Sequence, residues 1–244
     1  MDLIDDIYAR HQFVHLLFSG GKDSTLCLES VLERDLGDRT VLVVVDTQDY
    51  PEEMMQLIAS YEPKVRRIDY VKSDAKSWIQ RNGYPADVVV VDNTFLGRVY
   101  KKERDGVLMC SRQDCCHANV WGPMSQYLSN PEVTAVIMGE KDSDSHGSRP
   151  SFWTLGNNTV EVCRPLANKT DVDVRNELKA RGKFHKRFMG KASSLDCLHC
   201  TAYWETFDER MDYLYETYPQ TVTKLRGVVS SMQDTIKKAM STLK

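Results

Sequence analysis

Two close pairs of cysteines are the residues of this chain best suited to inorganic chemistry. Cys115 and Cys116 are adjacent, and Cys197 and Cys200 form a C-x-x-C turn far downstream. Thiolates of such a turn can reach one metal centre. Two pairs brought together offer four sulfurs, which suit tetrahedral zinc or an iron–sulfur cluster. Vicinal side chains diverge, which fits a single zinc ion badly and different corners of a cubane better. Separate buried thiols that never meet are the remaining reading. Cys110 is a spare sulfur close to the vicinal pair, while His117 and His199 read as outer neighbours or solvent-facing groups. Cys27 and Cys163 read as core thiols, the commoner fate of an isolated cysteine.

A second constellation, Ser19-Gly20-Gly21-Lys22-Asp23-Ser24, follows the apolar run that ends at Phe18. Adjacent glycines let consecutive backbone N–H groups curl into an anion-binding nest. A helix starting there adds unpaired N–H groups and the positive end of its dipole. Lys22 contributes a mobile charge, and Ser24 and Thr25 contribute hydroxyl donors. The sum is a phosphate cradle. It is not the Walker-type loop, whose first glycine falls where this chain has Leu16.

Such groups need elements to carry them. Strands are expected over 14–18, 41–45, 65–71, 88–91 and 134–138, and helices over 25–36, 51–61, 74–82 and 116–129. This alternation implies βαβ crossovers in a mostly parallel, doubly wound α/β sheet, followed by a helical C-terminal segment. Ligands of such sheets bind beyond the carboxyl ends of the strands, the edge where the glycine turn, Asp46 and Gly139 would lie. Residues 139–170 are polar and read as a loop or lid. The expected division is a nucleotide-binding domain with the metal site over 1–203 and a helical extension over 204–244. In that extension Val222, Leu225, Val229, Met232, Ile236 and Leu243 share one helical face. That face suits packing on its own domain or a homo- or hetero-oligomeric seam.

A net charge of −3 excludes a globally polyanion-binding molecule. Residues 179–191 are the local exception, a run rich in Lys and Arg with Phe184 and Phe188 interleaved. It reads either as a solvated face or as a clamp for phosphates or a nucleic-acid acceptor. Lys141 and Arg149 are further candidates for anion contact. There is no apolar run long enough to cross a bilayer, and the acidic start MDLIDDIYAR has neither the basic head nor the apolar core of a signal peptide. A cytoplasmic location without membrane partners is expected, where clustered cysteines hold metal more often than disulfides.

The loop 19–24 resembles that of the PP-loop ATP pyrophosphatase superfamily, whose members bind ATP and release pyrophosphate while activating a substrate. VDTQDYPEE (45–53) resembles the Asp-Thr-Gly…Pro-Glu-Thr segment of its phosphoadenosine phosphosulfate (PAPS) reductase branch, with Gln48 in place of the glycine. CCHANVWGPM (115–124), MGEKDSDSHGSR (138–149) and RPLANKTDVDV (164–174) resemble further segments of that branch in the same order. The cysteine pattern is similar to that of adenosine phosphosulfate (APS) reductases, which carry a 4Fe–4S cluster. The resemblance implies a small-molecule adenine nucleotide, ATP or APS/PAPS, at Ser19, Gly20, Gly21, Lys22, Asp23, Ser24, Asp46, Thr47, Gly139, Lys141 and Arg149. It implies Mg2+ beside Asp23 and Asp46, with Lys22, Asp23 and Asp46 as the catalytic set. It also implies a 4Fe–4S cluster, or zinc, on Cys115, Cys116, Cys197 and Cys200.

Two departures narrow the reaction. No cysteine follows Cys200, so the tail nucleophile of the reductases is missing, and Asn119 and Val120 stand where an Arg-Lys pair usually follows the vicinal cysteines. An intact SGGKDS loop with no tail thiol points to ATP-dependent, adenylating sulfur transfer. The alternatives are an APS or PAPS reductase with an unorthodox thiol, and a non-catalytic nucleotide-binding Fe–S protein in an assembly.

Overall fold

A computed structural model describes residues 2–101, 106–144, 150–185, 188 and 197–241. In chain order its strands are β1 (Val14–Leu17), β2 (Thr40–Asp46), β3 (Arg67–Lys72), β4 (Tyr84–Ala86), β5 (Met109–Ser111), β6 (Ala135–Ile137), β7 (Phe152–Leu155) and β8 (Asn158–Cys163). The α-helices are α1 (Leu3–Arg10), α2 (Lys22–Leu32), α3 (Glu52–Ala59), α4 (Ala75–Asn82), α5 (Phe95–Lys101), α6 (Arg112–Cys116), α7 (Gly122–Leu128), α8 (Asp171–Ala180), α9 (Phe207–Tyr215) and α10 (Pro219–Ser241). The chain forms two compact units. One comprises Met1–Asp46, Pro51–Lys72 and Gly122–Met189; the other comprises Thr47–Tyr50, Ser73–Trp121 and Gly190–Lys244.

The first unit is built on a sheet of order β3-β2-β1-β6-β8-β7, parallel except for β7 against β8. β2 is an unbroken run of β-branched and apolar side chains, and all but Asp46 are buried, as a strand covered on both faces requires. One face carries Leu16, Leu42, Val44 and Ile137 against α1, α2 and α8; the other carries Val136, Val160 and Val162 against Leu128 and Tyr127. Local signals set the helix starts. The Asp2 carboxylate caps α1 by accepting from Ile4 N at 2.9 Å. Thr170 and Asp173 form a capping box at α8.

The second unit holds a two-stranded parallel sheet, β4 with β5, surrounded by helices. α10 buries Val222, Leu225, Val229 and Met232, the first three packed with Phe207, Met211 and Leu214 of α9. The expected apolar face therefore packs within its own unit at these four positions. Leu243 lies outside the described residues. Among the described residues no helix is long and apolar enough to cross a membrane.

Three expected elements need correction. Val88–Val91 is not a strand: Ala86 pairs with Ser111, and Ser111 then caps α6 at 3.0 Å, so no partner strand continues alongside. Residues 139–170 are not one loop, because β7 and β8 form a hairpin there. Its turn has Gly156 at φ 61°, a left-handed conformation that glycine adopts without strain. The side chain of Asn158 donates to the carbonyls of Leu128, Asn130 and Val133, tying the hairpin to the end of α7. The single helix expected over 116–129 is α6 and α7 joined by a π turn, His117–Trp121.

Candidate functional site: a phosphate cradle and a four-cysteine cavity

In the first unit, β1 ends as Phe18 N donates to Val43 O at 2.9 Å, and the chain turns through Gly20 at φ 66° into α2. Gly20 is required there because the left-handed region penalises a Cβ. Gly21 is the N-cap of α2 and has no side chain to cap with, which leaves the first helical N–H groups facing the loop. Ser19 and Ser24 hydroxyls lie 3.4 Å apart across the turn, and the Ser24 hydroxyl donates to Gly21 O at 3.2 Å.

Two lysines converge on this turn. Lys22 Nζ lies 2.7 Å from Asp23 and 3.1 Å from Asp171 at the start of α8. Lys141 Nζ lies 2.9 Å from Asp23, 3.1 Å from Asp144 and 3.3 Å from Asp171. Both lysines are buried. Burial works against the Lys141 ammonium, but its bonds to Asp23 and Asp144 outweigh that and push its pKa above the ordinary lysine value. Burial likewise opposes the Asp171 carboxylate, and the two lysines overcome it, lowering its pKa. The two ammonium groups are thus held in place by three carboxylates, and an anion bound at the turn would share them with Asp23, Asp144 and Asp171.

Gly139, just past β6, has a steric role. A Cβ there would stand 2.7 Å from the carbonyl carbon of Asp23 and 2.8 Å from Ser24 N. Asp46 ends β2 on the same carboxyl edge of the sheet. Thr47 belongs to the second unit, where its carbonyl accepts from Ala75 N at 3.1 Å. Arg149 lies outside the described residues, as do 186, 187 and 189–191 of the basic stretch. Within that stretch Arg181 pairs with Glu33 at 2.6 Å and Lys183 with Glu29 at 3.1 Å. Phe184 packs edge-on against the buried Phe188, so this ring is core.

In the second unit Cys115, Cys116, Cys197 and Cys200 line one cavity of about 30 Å³, together with Ile79, Pro85, Arg112, Asn119 and Val120. The elements explain the convergence. α6 carries the vicinal pair, and the π turn after it places the Asn119 side chain to donate to Cys115 O at 2.9 Å and toward its sulfur at 3.8 Å. Asp49 fixes the C-x-x-C turn. Its carboxylate accepts from His199 N at 2.8 Å and meets His199 Nδ1 at 2.6 Å, and its carbonyl accepts from Leu198 N at 2.7 Å. Thr201 Oγ1 donates to Pro85 O at 2.7 Å, tying the turn to β4.

A hydrogen bond to Cys110 and burial push the Cys115 thiol up. Burial raises Cys200, with Arg210 opposing. Among the described residues no three His, Cys, Asp or Glu side chains are gathered around one point as a single ion requires. The four sulfurs line one cavity, and a donor set of four cysteines has the chemistry of either a zinc or an iron–sulfur centre. Cys27 is fully buried and Cys163 nearly so, both in the main core of the first unit.

The family model of the phosphoadenosine phosphosulfate reductase domain matches residues 14–203, most of the chain. The chain belongs to this family. At that level it stands with the nucleotide enzymes of sulfur metabolism. The solved structure of phosphoadenylyl-sulfate (PAPS) reductase from Candida auris, a phosphate complex, shares the PAPS reductase fold with a TM-score of 0.50 at 10% identity. The match covers 78% of this chain and 84% of that one. NH3-dependent NAD synthetase from Campylobacter jejuni, in complex with nitrate, aligns with a TM-score of 0.46 at 13% identity over 93% of this chain and 88% of that one. No curated protein matches the sequence.

Sequence reasoning alone missed Asp144 and Asp171, which hold the cradle lysines, and Asp49, which holds the C-x-x-C turn. Asp49 carried no local signal, since its partner His199 lies 150 residues away in sequence. Asp171 signalled only as a first-turn acid of α8.

Proposed function

We propose that this PAPS reductase family member is an ATP-dependent sulfur transferase. The observation that carries this reading is the intact cradle: glycines, hydroxyls and the open N-terminus of α2 facing a turn where two buried ammonium groups converge. A nucleotide without a β,γ-pyrophosphate has no need of all of it. ATP phosphates would sit on Gly20, Gly21 and Ser24, with Lys22 and Lys141 compensating their charge and Asp23 and Asp46 orienting the loop or Mg2+. An acceptor oxygen attacks the α-phosphorus, the bond to pyrophosphate breaks, and the oxygen leaves later as AMP when a sulfur nucleophile forms the new bond. The step involves no net oxidation when the donor is sulfide. A 4Fe–4S centre on Cys115, Cys116, Cys197 and Cys200, when bound, supplies a site to hold or relay sulfur. Arg112 and Asn119 line its cavity, and Asp49 holds one of its two cysteine turns in place.

The test supplies ATP, sulfide and candidate acceptors, a tRNA among them, and measures pyrophosphate and thiolated product. Turnover that survives combined loss of Lys22 and Ser24 defeats the assignment of this site. A second reading, an APS or PAPS reductase, is favoured by the family description itself. It calls for an unorthodox nucleophile or a partner's thiol. Sulfite released from APS or PAPS with a thiol donor, and no pyrophosphate from ATP, selects it.

A further inference from the structure

Arg210 of α9 is 5% exposed, yet among the described residues no carboxylate pairs with it. One guanidinium nitrogen donates to Ala202 O, and its Nε is buried without a hydrogen-bond partner. The rings of Tyr203 and Phe207 flank it at 5.8 Å each. The geometry ties it to the cysteines twice: the carbonyl it bonds lies two residues past Cys200, and the Tyr203 ring it flanks carries a hydroxyl 4.0 Å from Cys116 Sγ. Arg112, which lines the four-cysteine cavity, is ordinary by contrast: it is partly exposed, pairs with Asp87 at 3.3 Å and stacks on Tyr203 at 4.6 Å.

A guanidinium cannot shed its proton in a protein, and a buried cation without a counter-charge is strongly unfavourable. Four neutral thiols provide no counter-charge. Four thiolates around a zinc ion or a 2+ cubane carry a net charge of about −2. We infer that Arg210 is the built-in counter-cation of a thiolate metal centre on Cys115, Cys116, Cys197 and Cys200. The inference rests on the metal-centre reading above and adds to it a residue outside the span matched by the family model. Arg210 reaches the ligands through Tyr203 and the backbone after Cys200, so it is a positioning and charge-balancing residue for that centre.

The role predicts a reversal of sign that a merely structural arginine would not show. The full-length chain is compared with Arg210→Met in two states, loaded with zinc or with iron and sulfide, and metal-free with thiols reduced. In the loaded state Arg210→Met lowers both the melting temperature and the metal affinity, the affinity at least tenfold. In the metal-free state it raises the melting temperature, because an uncompensated charge has gone. Arg210→Lys, which keeps the charge, retains metal as the native chain does. If iron is the metal, Arg210→Met also lowers the one-electron reduction equilibrium at least tenfold, about 59 mV. Should Arg210→Met not fold, Arg210→Gln, which keeps a donor for Ala202 O, takes its place.

The same sign in both states, or a lysine variant as metal-poor as the methionine one, overturns the inference while leaving the metal centre standing. A native chain that binds neither iron nor zinc overturns both.

Discussion

Replacing Gly139 by Ala tests whether the cradle depends on close backbone contact. The new Cβ would meet the carbonyl carbon of Asp23 at 2.7 Å, Ser24 N at 2.8 Å and Asp23 Cβ at 3.0 Å. All three belong to the first turn of α2, and two are backbone atoms that cannot swing aside. Ordinary contact begins at 3.4 Å, so α2 and the end of β6 must separate by several tenths of an ångström. Overpacking of this kind costs about 1–3 kcal/mol, a fall of roughly 2–12 °C in melting temperature for a domain of this size. The same shift moves Asp23 away from Lys141, now 2.9 Å apart, and spoils the preset charge. Misplacement approaching 1 Å costs on the order of 100-fold in a positioned reaction. Calorimetric ATP titration of Gly139→Ala should therefore show at least tenfold weaker binding, and scanning calorimetry a lower melting temperature. Native affinity together with a melting temperature within about 1 °C of native would refute the reasoning.

Other outcomes follow from single contacts. Lys141→Met leaves Asp23, Asp144 and Asp171 with less counter-charge and should cost about 1–3 kcal/mol, less than for a fully buried pair because these carboxylates reach solvent and Lys22 still meets two of them, read by urea unfolding. Gly227 stands mid-helix in α10 with open space where a Cβ would go, so Gly227→Ala should stabilise the chain by about 0.8–1 kcal/mol in the same assay. Asp49→Ala frees the C-x-x-C turn and should weaken metal retention about 10–100-fold, measured by competition with a chelator. The bond from Arg10, with His11 assisting against burial, lowers the Glu161 pKa. A depressed carboxylate stabilises above its unfolded pKa and loses that contribution as pH falls through its folded value. Glu161→Gln should accordingly lower stability at neutral pH and flatten the acid limb of a stability–pH profile measured by urea unfolding.

Much of the first unit was legible because its signals are local. The β-branched run of β2, the glycines after β1 and the alternation of periods announce a parallel sheet with a phosphate loop on its carboxyl edge. The hairpin β7–β8 was legible in principle, since TLGNNTV alternates around a Gly-Asn turn, but its polar surroundings masked it. Val88–Val91 misled in the opposite direction: β propensity is present, and the missing requirement is a neighbour, because β5 ends at Ser111. At the site, residue types identified the four cysteines, whereas the groups that hold them did not announce themselves. Asp49 acts by pairing with His199 across 150 residues of sequence, Arg210 is distinguished by its burial, and both become visible only in three dimensions. The same is true of Asp171, which reaches Lys22 and Lys141 only once α8 packs against α2.

Iron and acid-labile sulfide in anaerobically prepared protein, native and Cys200→Ser side by side, test most directly whether the four cysteines act as one centre. The account predicts about four irons and four sulfides per native chain, and loss of most of both in the variant. Native protein free of iron after reconstitution, or a variant that retains the native content, would contradict it.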